Sequence, residues 1–192
     1  YNLRFHPIIQ FIKNLIKNKK IIETNIYTGS YLPSWRTYNY VNSYSSSKKL
    51  GGGVKLDLSH ELDYCLFLLG NYKINFYINK KISKLEIKSD DYLSLFGRSI
   101  NKSYINMTLN YFSKVPNRRI IINGNNISLD ADLNNNTIKY CVNNKLYNKK
   151  FSRKSLYESY LKMHESVLNK NYQDIAKLVE GIKIMKLIDQ IK

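Results

Sequence analysis

The sequence predicts an α+β domain, built as an open, mostly antiparallel β-sheet with helices packed on one face. Three observations lead there. The order of patterns along the chain is helix, strand, loop, helix, many strands, two helices. Tyr104, Asn106, Thr108, Asn110 and Phe112 alternate with Ile105, Met107, Leu109 and Tyr111, the period of a half-buried strand. Turn signals at Asn123-Gly124-Asn125 and Asn134-Asn135-Asn136 separate shorter strands.

Taken in order, Pro7 suits the first turn of a helix, and Ile8, Ile9, Phe11, Ile12, Leu15 and Ile16 carry an amphipathic pattern to about Asn18. Ile21 to Tyr31 reads as a strand, with β-branched residues at Ile22, Thr24, Ile26 and Thr28. Leu32 to Lys49 is a long polar and aromatic loop, and loops of that length are usually functional. A helix follows Gly51-Gly52-Gly53 and ends at Gly70, which suits a left-handed terminator. Strand character then appears at 71–79, 84–88, 92–99, 103–113, 118–123, 137–142 and 145–151. Ser155 with Glu158 resembles a capping box, and Asp174 suits the cap of a last helix. On that helix Ile175, Leu178, Val179, Ile182 and Met185 form a stripe expected to face the core.

Length and composition set limits. The 192 residues fit one domain, 1–192, and a hydrophobic fraction of 43% with 13% aromatic residues argues against disorder. No apolar run is long enough for a transmembrane helix, and the N-terminal residues do not form a signal peptide. The chain opens on Tyr1 without Met, which reads as a segment of a longer protein. Cys65 and Cys141 lack metal spacing and are expected as buried thiols in a reducing cytoplasm. The net charge of +17 invites a nucleic-acid reading, but the lysines are scattered and travel with abundant Asn, Ile and Tyr. A solvated surface is the simpler account, and no nucleic-acid partner is expected. No strand–GxGxxG–helix unit and no phosphate-cradling GxxxxGK[ST] loop is present, so no nucleotide site is visible.

The densest chemistry lies between Leu50 and Tyr64. On a helical wheel drawn from Asp57 to Leu69, Leu58, Leu62, Cys65, Leu66 and Leu69 share an apolar arc, while Asp57, His60 and Tyr64 fall on the far side. A carboxylate one turn before an imidazole can hold its tautomer and raise its basicity, as a general base requires. The same spacing also suits an N-capping Asp beside a surface His. Glu61 and Asp63 with one His are a weak metal signal, and no metal is expected. Arg4 and Arg36 can bind a substrate carboxylate or phosphate, or serve structure. Trp35 and Tyr40 can stack on a sugar ring or pack the loop. His6 caps or packs beside Pro7, and His164 is expected to be solvated.

Several motifs together resemble the Gfo/Idh/MocA family of glucose–fructose oxidoreductase, inositol dehydrogenase and their relatives, over essentially the whole chain as that family's C-terminal domain. They are Tyr1-Asn-Leu-Arg4-Phe-His6-Pro7, Tyr31-Leu-Pro-Ser-Trp35-Arg36, Tyr44-Ser45 and the run from Gly51 to Tyr64. Asp90-Asp91, Leu109-Asn-Tyr111, Arg118-Arg119 and Ile122-Asn-Gly124 fit more loosely. The resemblance implies the open-sheet fold of the dihydrodipicolinate reductase/glyceraldehyde-3-phosphate dehydrogenase-like C-terminal domain, with subunit contacts through the exposed sheet face. It implies hydride transfer between a nicotinamide cofactor and a hydroxyl carbon of a sugar or nucleotide-sugar, of the kind used in surface polysaccharides. His60 would exchange the hydroxyl proton, Asp57 would orient His60 or the sugar, and Arg4, Trp35, Arg36, Tyr40 and Tyr64 would contact the substrate. Many members separate the Asp and His by four positions, whereas Asp57 and His60 are three apart. NAD or NADP would be held mainly by an N-terminal Rossmann domain that also carries a Glu-Lys-Pro lysine; neither lies in this sequence, so the chain is not expected to act alone.

Three readings follow. The first is the substrate-binding and oligomerisation domain of a cytoplasmic NAD(P)-dependent sugar oxidoreductase, a homo-oligomer without a membrane partner. The second is a catalytically silent sugar-binding or assembly module with the same fold. The third, from another class, is a basic nucleic-acid-binding domain.

Overall fold

A computed structural model describes every residue from Tyr1 to Lys192. Helix α1, Pro7–Ile16, is capped by His6, whose Nδ1 accepts from the Ile8 amide at 3.3 Å. Its apolar residues recur at helical spacing, so Ile8, Ile9, Ile12 and Ile16 are all buried. Strand β1, Ile21–Tyr31, then enters the middle of the sheet.

The remaining strands are β2 (Tyr72–Lys80), β3 (Tyr92–Ser99), β4 (Tyr104–Asn110), β5 (Phe112–Gly124), β6 (Ile127–Asp132), β7 (Thr137–Val142) and β8 (Lys145–Lys150). Together with β1 they form one eight-stranded sheet in the order β2-β3-β4-β1-β5-β6-β7-β8. Only β1 and β4 run parallel; every other pair is antiparallel. Alternation sorts the side chains. Thr24, Ile26, Thr28, Ile105, Met107, Leu109, Ile120 and Ile122 are buried, and the apolar members join the helices in one core cluster. The opposite face stays open. There Phe96 stacks between Phe76 and Tyr104, with ring centroids 6.5 and 5.7 Å apart. This is the α+β architecture that the order of patterns predicted.

Local differences have local causes. The single helix expected between Gly53 and Gly70 is two, α2 (Val54–Asp57) and α3 (Ser59–Leu69), because Leu58 leaves helical geometry at φ −100°, ψ 29°. Gly70 has φ 76° but ψ −166°, so it ends α3 outside the left-handed well. Residues 84–88 are not a strand. Leu85 and Ile87 are buried in alternation, but their segment packs on a loop: the Lys88 amide bonds Ser46 O at 2.7 Å and the Glu86 amide bonds the Tyr40 hydroxyl at 3.1 Å. The two strands expected at 103–113 and 118–123 are β4 and a single long β5, broken apart at the buried Tyr111, and β6 was not foreseen. Asn110, in phase with the exposed Tyr104 and Asn106, is nevertheless buried and donates to the Tyr27 hydroxyl at 3.0 Å. Cys65 is buried, whereas Cys141 is half-buried; both are free thiols.

The C-terminal helices depart most. Helix α4, Ser155–Leu168, is flanked by Lys154, and Ser155 donates to Ser152 O instead of capping. Asp174 does not cap α5 (Leu178–Gln190); it accepts from Lys13 Nζ at 2.6 Å and Gln10 Nε2 at 3.0 Å. On α5 the expected core stripe is exposed: Leu178 is 79% and Val179 63% accessible, while Ile184, Leu187 and Ile188 are buried. The reason is a charge. Glu180 shares the buried side and reaches Arg4 Nη1 at 3.0 Å, which fixes the rotation of the helix.

Candidate active site

A cleft of about 300 Å³ opens where the core face of β1 and β5 meets the start of α3 and the side of α4. His60, Asp57, Trp35, Arg118, Asn117 and Tyr160 are among its walls. A shift of strand register builds part of the rim. Gly29 pairs with Asn117 but Tyr31 pairs with Phe112, so residues 113–116 bulge out of the ladder with Pro116 among them. Ser30 thereby lines the cleft and accepts from Trp35 Nε1 at 2.6 Å, holding the indole there.

His60 is the second residue of α3. Its ring stands edge-on to Tyr1 at 5.5 Å, and Nδ1 is buried without a hydrogen-bond partner. Burial, helped by the nearby charge of Arg118, pushes its pKa down to about 4, so the imidazole is neutral at neutral pH. Asp57 lines the same cleft, but it does not hold His60. The break at Leu58 removes it from the helical wheel, and its Oδ2 accepts from the Tyr111 hydroxyl at 2.6 Å. Burial, then the Asp57 charge, raises the Tyr111 pKa far above its usual range and keeps that hydroxyl a donor.

Behind His60 lies a network that the helical wheel missed. Glu61 is fully buried; its Oε1 accepts from Thr28 Oγ1 at 2.9 Å and lies 2.8 Å from Arg118 Nε. The Arg118 approach is an ion pair by distance, with an angle outside that of a hydrogen bond. The Glu61 charge keeps the guanidinium protonated against the opposing effect of burial. Buried polar atoms are nearly always bonded, so the exceptions are informative. His60 Nδ1, Glu61 Oε2, Tyr64 Oη, Asn117 Oδ1 and Arg118 Nε all lack a partner. Three of these residues line the cleft and the other two sit directly behind it, next to Arg118 and Thr28.

Four predicted substrate residues lie elsewhere. Arg4 is buried and fully committed: Nε and Nη2 donate to Asp63 at 2.7–3.1 Å, and Nη1 donates to Glu180. Tyr64 is wholly buried in the core behind Glu61, because α3 is covered on both sides and has no solvent face at that position. Arg36 stacks over Tyr44 at 5.0 Å and donates to Ser45 Oγ at 3.4 Å, organising the loop it belongs to. Tyr40 accepts from the Glu86 amide in the same loop. That loop is a succession of short 3-10 turns tied by serine hydroxyls, with only Trp35 of it reaching the cleft. His6 caps α1, and His164 is exposed.

A larger groove, about 700 Å³, lies at the other end of α3, some 15 Å along an eleven-residue helix. Lys13, Lys17, Lys19 and Lys20 gather on its walls, so these lysines are less scattered than the sequence suggested. None of the unpartnered buried atoms and none of the predicted residues lies in it. Glu61 and Asp63, the candidate metal ligands beside His60, are spent on Arg118 and Arg4.

The residues present do not fit the pyrophosphate of a dinucleotide. The Gly51–Gly53 turn is the only glycine-rich loop, and Asp90 already closes it. Asp90 O accepts from the Val54 amide at 3.0 Å and its carboxylate from the Lys55 amide at 3.3 Å. Gly53 has φ 126°, and a side chain there would strike the Asp90 carboxylate.

No family model matches the chain, and a search of curated proteins finds no significant match. Solved structures do share its fold. An oxidoreductase from Agrobacterium radiobacter in complex with NAD+, L-tartaric acid and magnesium has a TM-score of 0.78 at 15% identity, over 98% of this chain and 59% of that one. A UDP-N-acetylglucosamine 3-dehydrogenase from Acidithiobacillus ferrooxidans has 0.75 at 16%, over 98% and 58%. The WlbA dehydrogenase from Bordetella pertussis, in complex with NADH and UDP-GlcNAcA, has 0.71 at 15%, over 99% and 59%. The chain therefore spans less than two thirds of the length of these neighbours. The dehydrogenases among such neighbours are of the Gfo/Idh/MocA type, and the fold is that of their C-terminal domain.

Proposed function

We propose that the chain is the substrate-binding domain of an NAD(P)-dependent oxidoreductase acting on a hydroxyl of a sugar or nucleotide-sugar. One observation carries the reading: a neutral, unpartnered His60 in a cleft where buried polar atoms without partners collect. In this reading a nucleotide-binding half would hold the cofactor, which would supply the hydride chemistry at the sugar carbon. This chain's residues handle the proton and the position of the sugar. His60, uncharged at neutral pH, accepts the hydroxyl proton. Asp57, fixed on one oxygen by Tyr111, has the other free to orient a sugar hydroxyl. Trp35, held by Ser30, offers an apolar wall to the ring.

In this reading the nucleotide-binding half docks at the mouth of the cleft. Leu156 and Tyr160 of α4 line the cleft and are also exposed, so apolar surface runs outward from the site. The test is to join the chain to its nucleotide-binding half and follow reduction of NAD+ and NADP+ on sugars and nucleotide-sugars. Turnover that needs His60 is the expected result. Sugar binding with no turnover on any substrate would favour the silent binding module instead.

A further inference from the structure

We propose that Arg118 recognises an anionic group of the substrate, a carboxylate or a phosphate ester, so that the cleft is built for an acidic sugar. The inference rests on the cleft being the substrate site and deepens that reading. Its starting point is the position of Arg118. On β5 it is in phase with Ile120 and Ile122, both fully buried, so it occupies a place where the sheet elsewhere puts an apolar residue. A charge there needs a counter-charge, and Glu61 supplies it from α3. Replacing such a pair by apolar residues is often neutral or stabilising, so stability alone does not account for it.

The geometry points to a use. Glu61 approaches the guanidinium at Nε, at 2.8 Å. Nη1 and Nη2 make no hydrogen bond to the protein, and the side chain retains 23% of its accessibility where it borders the cleft. A guanidinium tethered from behind, with its two terminal nitrogens free, presents the fork that matches two oxygens of an oxyanion. The surroundings agree. Asp57 is the only acidic side chain on the cleft wall, and one of its two oxygens already accepts from Tyr111. On its other side Arg118 borders a second hollow, of about 460 Å³, whose walls include a further positive charge, Arg153. Neither of the arginines singled out from the sequence can take this part: Arg4 has spent its donors on Asp63 and Glu180, and Arg36 lies on Tyr44 outside the cleft.

The test is a titration of the isotope-labelled 192-residue chain, followed by nuclear magnetic resonance, with glucose, glucuronate and glucose 6-phosphate. These three sugars differ only at the sixth carbon. At least one acidic sugar is expected to bind roughly tenfold or more tightly than glucose, the usual worth of a charged hydrogen bond. The shifts should centre on Arg118, Asn117 and His60, and the tighter of the two acids identifies the anion. Arg118→Lys, which keeps the charge and loses the fork, should remove most of that preference. The paired Glu61→Gln, Arg118→Gln variant leaves no buried charge unpaired; it should fold and show no preference between glucose and the acidic sugars. Equal binding of all three sugars, or a preference that survives in the paired variant, overturns this inference and leaves the substrate-site reading standing. If no sugar perturbs the cleft, the substrate-site reading falls and takes the inference with it.

Discussion

Thr28 and Arg118 face each other on adjacent strands and approach the same oxygen of Glu61, at 2.9 and 2.8 Å. One carboxylate atom therefore ties β1, β5 and α3 together immediately behind His60. The next residue but one along the helix, Asp63, does the same work for the N-terminal turn through Arg4. Helix α3 is thus fastened by two buried ion pairs, and His60 sits just ahead of both.

Glu61→Ala should cost about 3–5 kcal/mol, because it strands the Arg118 charge. Glu61→Leu combined with Arg118→Met should cost far less, since neither charge remains. Urea denaturation of the two variants measures the difference. A Glu61→Ala loss below about 1 kcal/mol would mean that water, not Glu61, satisfies the guanidinium.

In the enzyme assembled with its nucleotide-binding half, His60→Ala should lower kcat/KM by about 10²–10⁴-fold with the fold intact. His164→Ala, at an exposed site on α4, should be nearly silent. Asp57→Asn should change KM more than the pH profile, since Asp57 bonds Tyr111 and not His60. Wild-type turnover in His60→Ala, with an unchanged pH profile, would remove the histidine from the chemistry.

Stability should fall as pH drops from about 6.5 to 4. His6 and His60 both have a folded pKa of about 4, lowered first by burial and then by the Arg118 charge. Between 4 and the unfolded value near 6.5 the unfolded chain binds more protons than the folded one, so acid favours unfolding. Each contributes about 3 kcal/mol at most, present above pH 6.5 and lost through pH 4. The variant His6→Asn, His60→Asn keeps a capping side chain at position 6 and should show a flatter dependence. Unfolding midpoints at pH 7 and pH 5 decide it; parallel losses in both proteins would place the acid sensitivity elsewhere.

The open face of the sheet should be a contact between copies of the chain. Phe76 is 73% exposed and continues through Phe96 to Tyr104 as an aromatic row with nothing covering it. Phe76→Lys and Tyr104→Lys should shift the sedimentation of the assembled protein towards the monomer. A wild-type chain that stays monomeric at high micromolar concentration would count against this face.

The sequence made the fold class legible because alternation survives tertiary context: β1 and β3 run as their patterns predict. Alternation at 84–88 was also real, since Leu85 and Ile87 are buried, but it cannot say whether the neighbour is a strand or a loop. The site was less legible. The wheel through Asp57 and His60 assumed one helix, and nothing in the residues themselves marks the break at Leu58. Arg118 carried a usable signal: a charge in phase with Ile120 and Ile122 is out of place on a core face and implies a buried partner. The α5 stripe misled because the helix has two apolar sides, and only the Arg4–Glu180 pair decides which one turns inward.

Because β1 lies between β4 and β5, it has no sheet neighbour from its own stretch of chain. Glu23 waits for Tyr104, and Thr24 for Ile122. At a synthesis rate of about 5–20 residues per second, the first strand stays unpaired for roughly 4–20 seconds after it is made. Its exposed hydrogen-bonding edges are a hazard throughout that time. A nascent chain halted before residue 124 should therefore be a chaperone client, and release of the chaperone should coincide with emergence of β5.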